Sequence, residues 1–213
     1  MKGLLAIGEV LIDFVPAADE EGQVSYLPVP GGAPANVCAA YSRLGGRSQL
    51  ISQVGKDPFG DKILETLKEV HVMTESVLRT DDANTSLAFV SLQENGNRDF
   101  TFYRKPGADM LLSPESVREQ WFKNAEILHF CSVSLGDTPM KKAHDAAIAL
   151  ADKNGMIISF DPNIRFPLWP DHAKLKQVIK EYIPKCHILK LSDEELPFIT
   201  GKRKIENALP QLF

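Results

Sequence analysis

Short apolar runs recur along this chain, each bounded by turn residues and each followed by a stretch with helical periodicity. "LLAI" comes first, then "QLISQV", "EILHF", "MIISF" and "HILKL". Runs this short and this rich in Ile, Leu and Val read as strands buried on both faces. Between them, "DPFGDKILETLKEV" sets Ile63, Leu64, Leu67 and Val70 on one side of a helix. Pro34 to Leu44 reads as a helix stopped by Gly45-Gly46, Thr138-Pro139 opens one that runs to Gly155, and "LKQVIKEYI" is a third. Strand, helix, strand, helix predicts an α/β fold with a mostly parallel central sheet and helices on both faces. "LLAIGEVLIDFV" is expected to be one strand, buried at first and alternating later. Ser113-Pro114 is expected to open a further helix through Trp121.

One region breaks that rhythm. From Asn84 to Arg104 the period falls to two, and "ENGN" around Asn95-Gly96 is a hairpin turn signal. A short strand is expected near Val24 to Leu27. These segments predict a β flap projecting from the central sheet.

A hydrophobic fraction of 44% over 213 residues supports one sizeable core. Lys plus Arg number 24 and Asp plus Glu 28, a net charge of −4, which argues against nucleic acid as the main partner. No apolar stretch is long enough to span a bilayer, so no membrane role is expected. Cys38, Cys131 and Cys186 lie far apart with no CxxC pair, and the histidines are scattered. Reduced thiols, no metal centre built on Cys and His, and a cytoplasmic setting are expected.

Polar groups gather at turns where a parallel sheet binds ligands, beyond the carboxyl ends of its strands. In "PGGAPANV", Gly31-Gly32 bares backbone N–H groups and the helix beginning at Pro34 aims its positive end at the same place. Asn36 adds two donors and an acceptor, a set suited to hydroxyl groups. A tight turn with a helix cap explains the same glycines without a ligand. Asp13 either begins a turn or accepts from neighbouring sugar hydroxyls. "DPNIR" sets Asn163 and Arg165 where an anion would be met. Glu195 ends "SDEE", a capping box with Ser192, and that role needs no catalysis; the alternative is a hydrated Mg2+ beside phosphates. Neither GxGxxG nor GxxxxGK[ST] occurs, so a Rossmann dinucleotide site and a P-loop are disfavoured.

Taken in order, "GEVLIDFVP", "PGGAPANV", "VGKDPFG", "FYRKPGADMLL", "ISFDPNIRFPLWP" and "LKLSDEELPFITG" resemble the ribokinase-like (PfkB) family of carbohydrate kinases, in fructokinase-like wording. The resemblance implies that residues 1–213 form an incomplete ribokinase-like domain, with lid strands around 14–30 and 84–105 and the C-terminal part of the fold missing. It implies phosphorylation of D-fructose to fructose 6-phosphate with ATP and Mg2+. Asp13, Gly31, Gly32, Asn36, Tyr103 and Arg104 would meet the sugar. Asn163, Arg165, Lys190 and Ser192 would lie near the phosphates, and Glu195 near the metal. A homodimer through the β lid is a further implication. Two departures stand out: Ser192 replaces a frequent Asn, and the family's Gly-Ala-Gly-Asp signature, which carries the catalytic base, is absent. The resemblance puts that base beyond Phe213, and none of the 213 residues is expected to act as it. The chain alone is therefore expected to be inactive. The rivals are a 2-keto-3-deoxygluconate or nucleoside kinase of the same family, and a non-catalytic sugar-binding or dimerising module.

Overall fold

A computed structural model of the chain describes residues 3–18, 23–92 and 98–212. The elements run β1 (Gly3–Ile7), β2 (Leu11–Ala18), β3 (Val24–Gly31), α1 (Ala33–Arg43), β4 (Ser48–Gly55), α2 (Pro58–Glu69), β5 (Val72–Met73) and β6 (Val77–Thr80). They continue through β7 (Leu87–Leu92), β8 (Arg98–Tyr103), β9 (Ala125–Cys131), α3 (Pro139–Lys153), β10 (Ile157–Asp161), α4 (His172–Tyr182), β11 (Ile188–Leu189), α5 (Glu195–Thr200) and α6 (Ile205–Ala208). The central sheet has the order β11-β10-β9-β1-β4-β5, with β6 also beside β4, and every pairing in it is parallel. A second sheet, the lid, has the order β3-β2-β7-β8.

Alternation along β1 shows why this sheet needs helices on both sides. Leu5 and Ile7 join one core with Phe130, Phe160 and residues of α3 and α4. Leu4 and Ala6 join the other with Leu50, Val54 and residues of α1 and α2. Successive side chains of a strand point to opposite faces, so a strand apolar at every position must be covered twice. Phe130 and Phe160 sit on adjacent strands and stack at 4.6 Å.

The structure departs from the sequence expectations in two places. "LLAIGEVLIDFV" is two strands, not one. The chain leaves the central sheet at Gly8, carries Glu9 and Val10 across, and enters the lid as β2. Residues 113–121 form no α-helix. Two 3-10 turns, Pro114–Ser116 and Glu119–Phe122, are separated by Val117 in extended conformation. There the Ser113 and Ser116 hydroxyls bond each other at 3.2 Å. The hairpin strands are present as β7 and β8, paired antiparallel. The turn expected at Asn95-Gly96 lies outside the described residues. So does Phe213. Among the described residues no helix is long and apolar enough to cross a membrane. All three cysteines are free.

The lid is tied to the body at its root. Phe14 of β2 stacks on Phe89 of β7 at 4.7 Å and meets Phe59 of α2 edge-on at 5.7 Å. Asp57 caps α2 by accepting from the Gly60 N–H at 2.8 Å, and it also accepts from the Thr85 N–H at 2.7 Å and the Thr85 hydroxyl at 2.8 Å. Burial alone would raise the Asp57 carboxyl, but those donors outweigh it and hold the group below its ordinary value. Asp57→Ala should cost about 2 kcal/mol in denaturant unfolding, a cap plus its lid bonds. A folded-state value below the unfolded one means that this stability is present above the unfolded value, about pH 4, and is lost as pH falls through the depressed one. The stability difference between wild type and variant should therefore shrink in acid.

Candidate active site between the lid and the central sheet

The start of α1 sits where β3 of the lid meets the crossing from β1 to β2. Gly31 pairs with Leu11, and a Cβ on it would collide with Oδ2 of Asp13. Gly32 has φ 108, and a Cβ there would meet the Glu9 carbonyl oxygen at 2.5 Å. Only glycine gives both the positive φ and the room. Pro34 follows in the first turn, where its missing N–H costs nothing. The loose and stiff residues of "PGGAP" thus serve one approach: α1 begins against Glu9, under the Asp13 carboxylate.

A cavity of about 220 Å3 opens at this point. Asp13, Gly32, Ala33 and Asn36 line one side, Phe100 and Phe102 of β8 another, and Asn163 and Arg165 a third, with Glu9, Leu11 and Val133 completing the wall. Carboxylate acceptors, a side-chain amide and two aromatic faces suit a small polyhydroxylated ligand better than an apolar one.

The third side is built by an unusual loop. Asn163 adopts φ 45, a left-handed conformation that asparagine tolerates better than most residues. Its N–H donates to Asp161 Oδ1 at 3.1 Å. The next N–H, of Ile164, donates to Glu195 Oε1 at 2.8 Å. The other oxygen of Glu195 accepts from the Ser192 N–H at 2.8 Å, while the Ser192 hydroxyl accepts from the Glu195 N–H at 3.1 Å. This is the reciprocal capping box seen in "SDEE", extended by one bond that fixes the Asn163–Arg165 loop. Arg165 stands 5.7 Å from the Phe100 ring centroid, a cation–π contact that joins loop to lid. Burial pushes the Asp161 carboxyl up, opposed by Lys190 at 3.2 Å.

The structure brings together Asp13, Gly32, Asn36, Asn163 and Arg165, with Gly31 directly behind Asp13. Asp13 stands within lid strand β2, not at the carboxyl end of a central strand. Tyr103 does not line the cavity; it is 63% exposed and its ring lies 5.4 Å from that of Phe89. Arg104 is buried, paired with Asp109, and outside the cavity lining. Lys190 and Ser192 border a separate cavity of about 650 Å3 with Leu189, Leu196 and Arg203. Among the described residues, no group of three His, Cys, Asp or Glu side chains is placed to hold a metal.

Sequence reasoning missed Glu9, Phe100 and Phe102. The signals were present. Glu9 is a carboxylate set inside an apolar run, and Phe100 and Phe102 share one face of a period-two strand.

Comparison with known proteins agrees with this architecture. The pfkB family of carbohydrate kinases matches residues 1–213. Fructokinase-2 of Solanum lycopersicum is 41% identical over 207 residues, covering 96% of this chain and 63% of that protein. This chain thus spans less than two thirds of that relative's length. Fructokinase from Xylella fastidiosa, solved with bound ATP, is 34% identical with a TM-score of 0.89, covering all of this chain (100%) and 69% of that one. A double-mutant fructokinase from Vibrio cholerae O395, solved with fructose, ADP and potassium ion, is 36% identical with a TM-score of 0.87, covering 98% of this chain and 66% of that one. With the parallel sheet, the lid and the family match in agreement, the chain belongs to the pfkB family of carbohydrate kinases.

Proposed function

We propose that these 213 residues supply the sugar-binding half of an ATP-dependent sugar kinase that converts D-fructose to fructose 6-phosphate. The observation that carries this reading is the cavity between lid and sheet, where Asp13, Asn36 and two phenylalanine faces surround a volume of about 220 Å3. Sugar hydroxyls would donate to Asp13 and exchange bonds with Asn36, and the apolar face of the ring would lie against Phe100 and Phe102. The accepting hydroxyl would point toward Asn163 and Arg165. Phosphoryl transfer depends on positioning and charge stabilisation, and this chain's residues provide the positioning of the acceptor.

ATP, carrying Mg2+, would supply the phosphoryl group and the neutralising charge. Among the described residues no three His, Cys, Asp or Glu side chains are grouped to hold a divalent ion, and Glu195, each of whose oxygens accepts one backbone N–H, keeps lone pairs for the water of a hydrated Mg2+. The sequence up to Phe213 holds no Gly-Ala-Gly-Asp run, so none of its residues is assigned as the base.

The reading favours a neutral sugar over a keto acid. Among the described residues, Glu9 and Asp13 line the cavity against the single cation Arg165, and Arg104 spends its donors on Asp109, Ser134 and Val133. The ATP-bound and fructose-bound relatives support the same choice. A second copy of the chain is a fitting partner for the lid, where Val24, Tyr26 and Leu27 are exposed. A cytoplasmic setting suits three unpaired cysteines.

The test is calorimetric and enzymatic together. The purified chain should bind fructose saturably yet release no ADP from ATP and Mg2+. Fructose-dependent ADP release would show that it carries a base not identified above. Failure of a folded chain to bind fructose would defeat the reading. Asp13→Ala should weaken fructose binding about 10- to 100-fold, the loss of one or two bonds to a charged acceptor, with an unchanged circular dichroism spectrum. An unchanged affinity would remove Asp13 from the site.

A further inference from the structure

The first N–H groups of an α-helix have no partner inside the helix. In α1 the first of these is Ala33, and its N–H donates to Oε1 of Glu9 at 3.0 Å. Pro34 has none to give. Glu9 is 2% exposed, so its carboxylate needs partners on both oxygens. Oε2 accepts from the Ser134 hydroxyl at 3.1 Å. That hydroxyl in turn accepts from Nη2 of Arg104 at 3.0 Å. Arg104 is held by Asp109, with Nε donating to Oδ2 at 2.9 Å, and Asp109 also accepts from the Ser86 hydroxyl. The remaining terminal nitrogen of Arg104, Nη1, donates to the Val133 carbonyl at 3.3 Å.

This relay joins segments far apart in sequence. Arg104 follows the last residue of lid strand β8, Ser134 follows β9, and Glu9 occupies the crossing from β1 to β2. Glu9, Ala33 and Val133 all line the sugar cavity, while Arg104, Asp109 and Ser134 stand behind it. Two carboxylates face one guanidinium, all of them buried. Burial raises the Glu9 carboxyl above its ordinary value and the Arg104 charge pulls it back, so the arginine favours the ionised acceptor that Ala33 meets.

We propose that Arg104, Asp109 and Ser134 are positioning residues for the sugar cavity: through Glu9 they hold the Ala33 N–H, and with it the Gly32–Asn36 turn, in the geometry that meets the sugar. Arg104 therefore acts on the sugar from behind the wall and touches no ligand. The sugar half of this inference rests on the proposed function. The relay itself does not, and the two are tested separately.

Ser134→Ala removes the hydroxyl that links arginine to glutamate and changes little else. Two quantities are read: amide exchange at Ala33 relative to Leu5 and Ile7 in β1, and the dissociation constant for fructose. Loss of one charge-assisted bond should raise Ala33 exchange about tenfold while Leu5 and Ile7 stay protected, and weaken fructose binding about tenfold. A double variant, Arg104→Met with Asp109→Leu, exchanges the buried pair for apolar groups of similar size, a change that folded proteins often tolerate. It should give the same selective effect at Ala33. Unchanged Ala33 exchange in folded Ser134→Ala overturns the relay. So does an equal rise at Leu5 and Ile7, which would mean that the network serves stability alone. A wild-type chain that ignores fructose overturns the sugar half and the proposed function together, while Ala33 exchange still decides the relay.

Discussion

The passage of the chain from β1 to β2 is the constraint on which the rest of the site depends. Three residues, Gly8, Glu9 and Val10, carry the backbone from a parallel sheet buried on both faces into a lid that projects from it. The crossing must pass under the start of α1, so Gly32 has no room for a side chain. It must also leave a carboxylate buried, so Glu9 is given the Ala33 N–H on one side and Ser134 on the other. A cavity between two sheets follows from that geometry. Its floor is the crossing, its wall is the first turn of α1, and its roof is the lid hairpin.

The second organising element is Glu195. A capping box is a local device, worth about 1 kcal/mol to the helix it starts. Here one of its oxygens reaches the Ile164 N–H, so the same side chain fixes the loop that presents Asn163 and Arg165. The cavity is thus defined by two carboxylates that bind backbone N–H groups, one beneath α1 and one at the start of α5. Beside them the cavity is lined by Asp13, Asn36, Asn163 and Arg165, with Phe100 and Phe102.

Much of this was legible in the sequence, for identifiable reasons. Local signals were read correctly: the two-sided burial of β1, the helix opening at Pro34, and the capping box at Ser192 and Glu195. What stayed hidden depended on distant contacts. Nothing within "LLAIGEVLIDFV" says that its two halves belong to different sheets, because both halves are apolar and the break is set by distant partners: β3 and β7 beside β2, and Ala33, 24 residues on, bonded to Glu9. Arg104 was expected at the sugar by family resemblance alone. Its burial needs Asp109 and Ser134, and Ser134 is 30 residues away in sequence. Residues 113–121 carry helix-opening signals, yet Val117 and Arg118 are extended and split the segment into two 3-10 turns.

Whether the lid–sheet cavity receives a neutral sugar is decided by an amide-resolved titration of the isotopically labelled chain with fructose. Saturable shifts are expected at Gly32, Ala33, Asn36, Asn163 and Arg165, with Leu191 and Asp193 beside the larger cavity unmoved. Shifts confined to Leu191 and Asp193, or a folded chain with no shifts at all, would place the sugar elsewhere or nowhere.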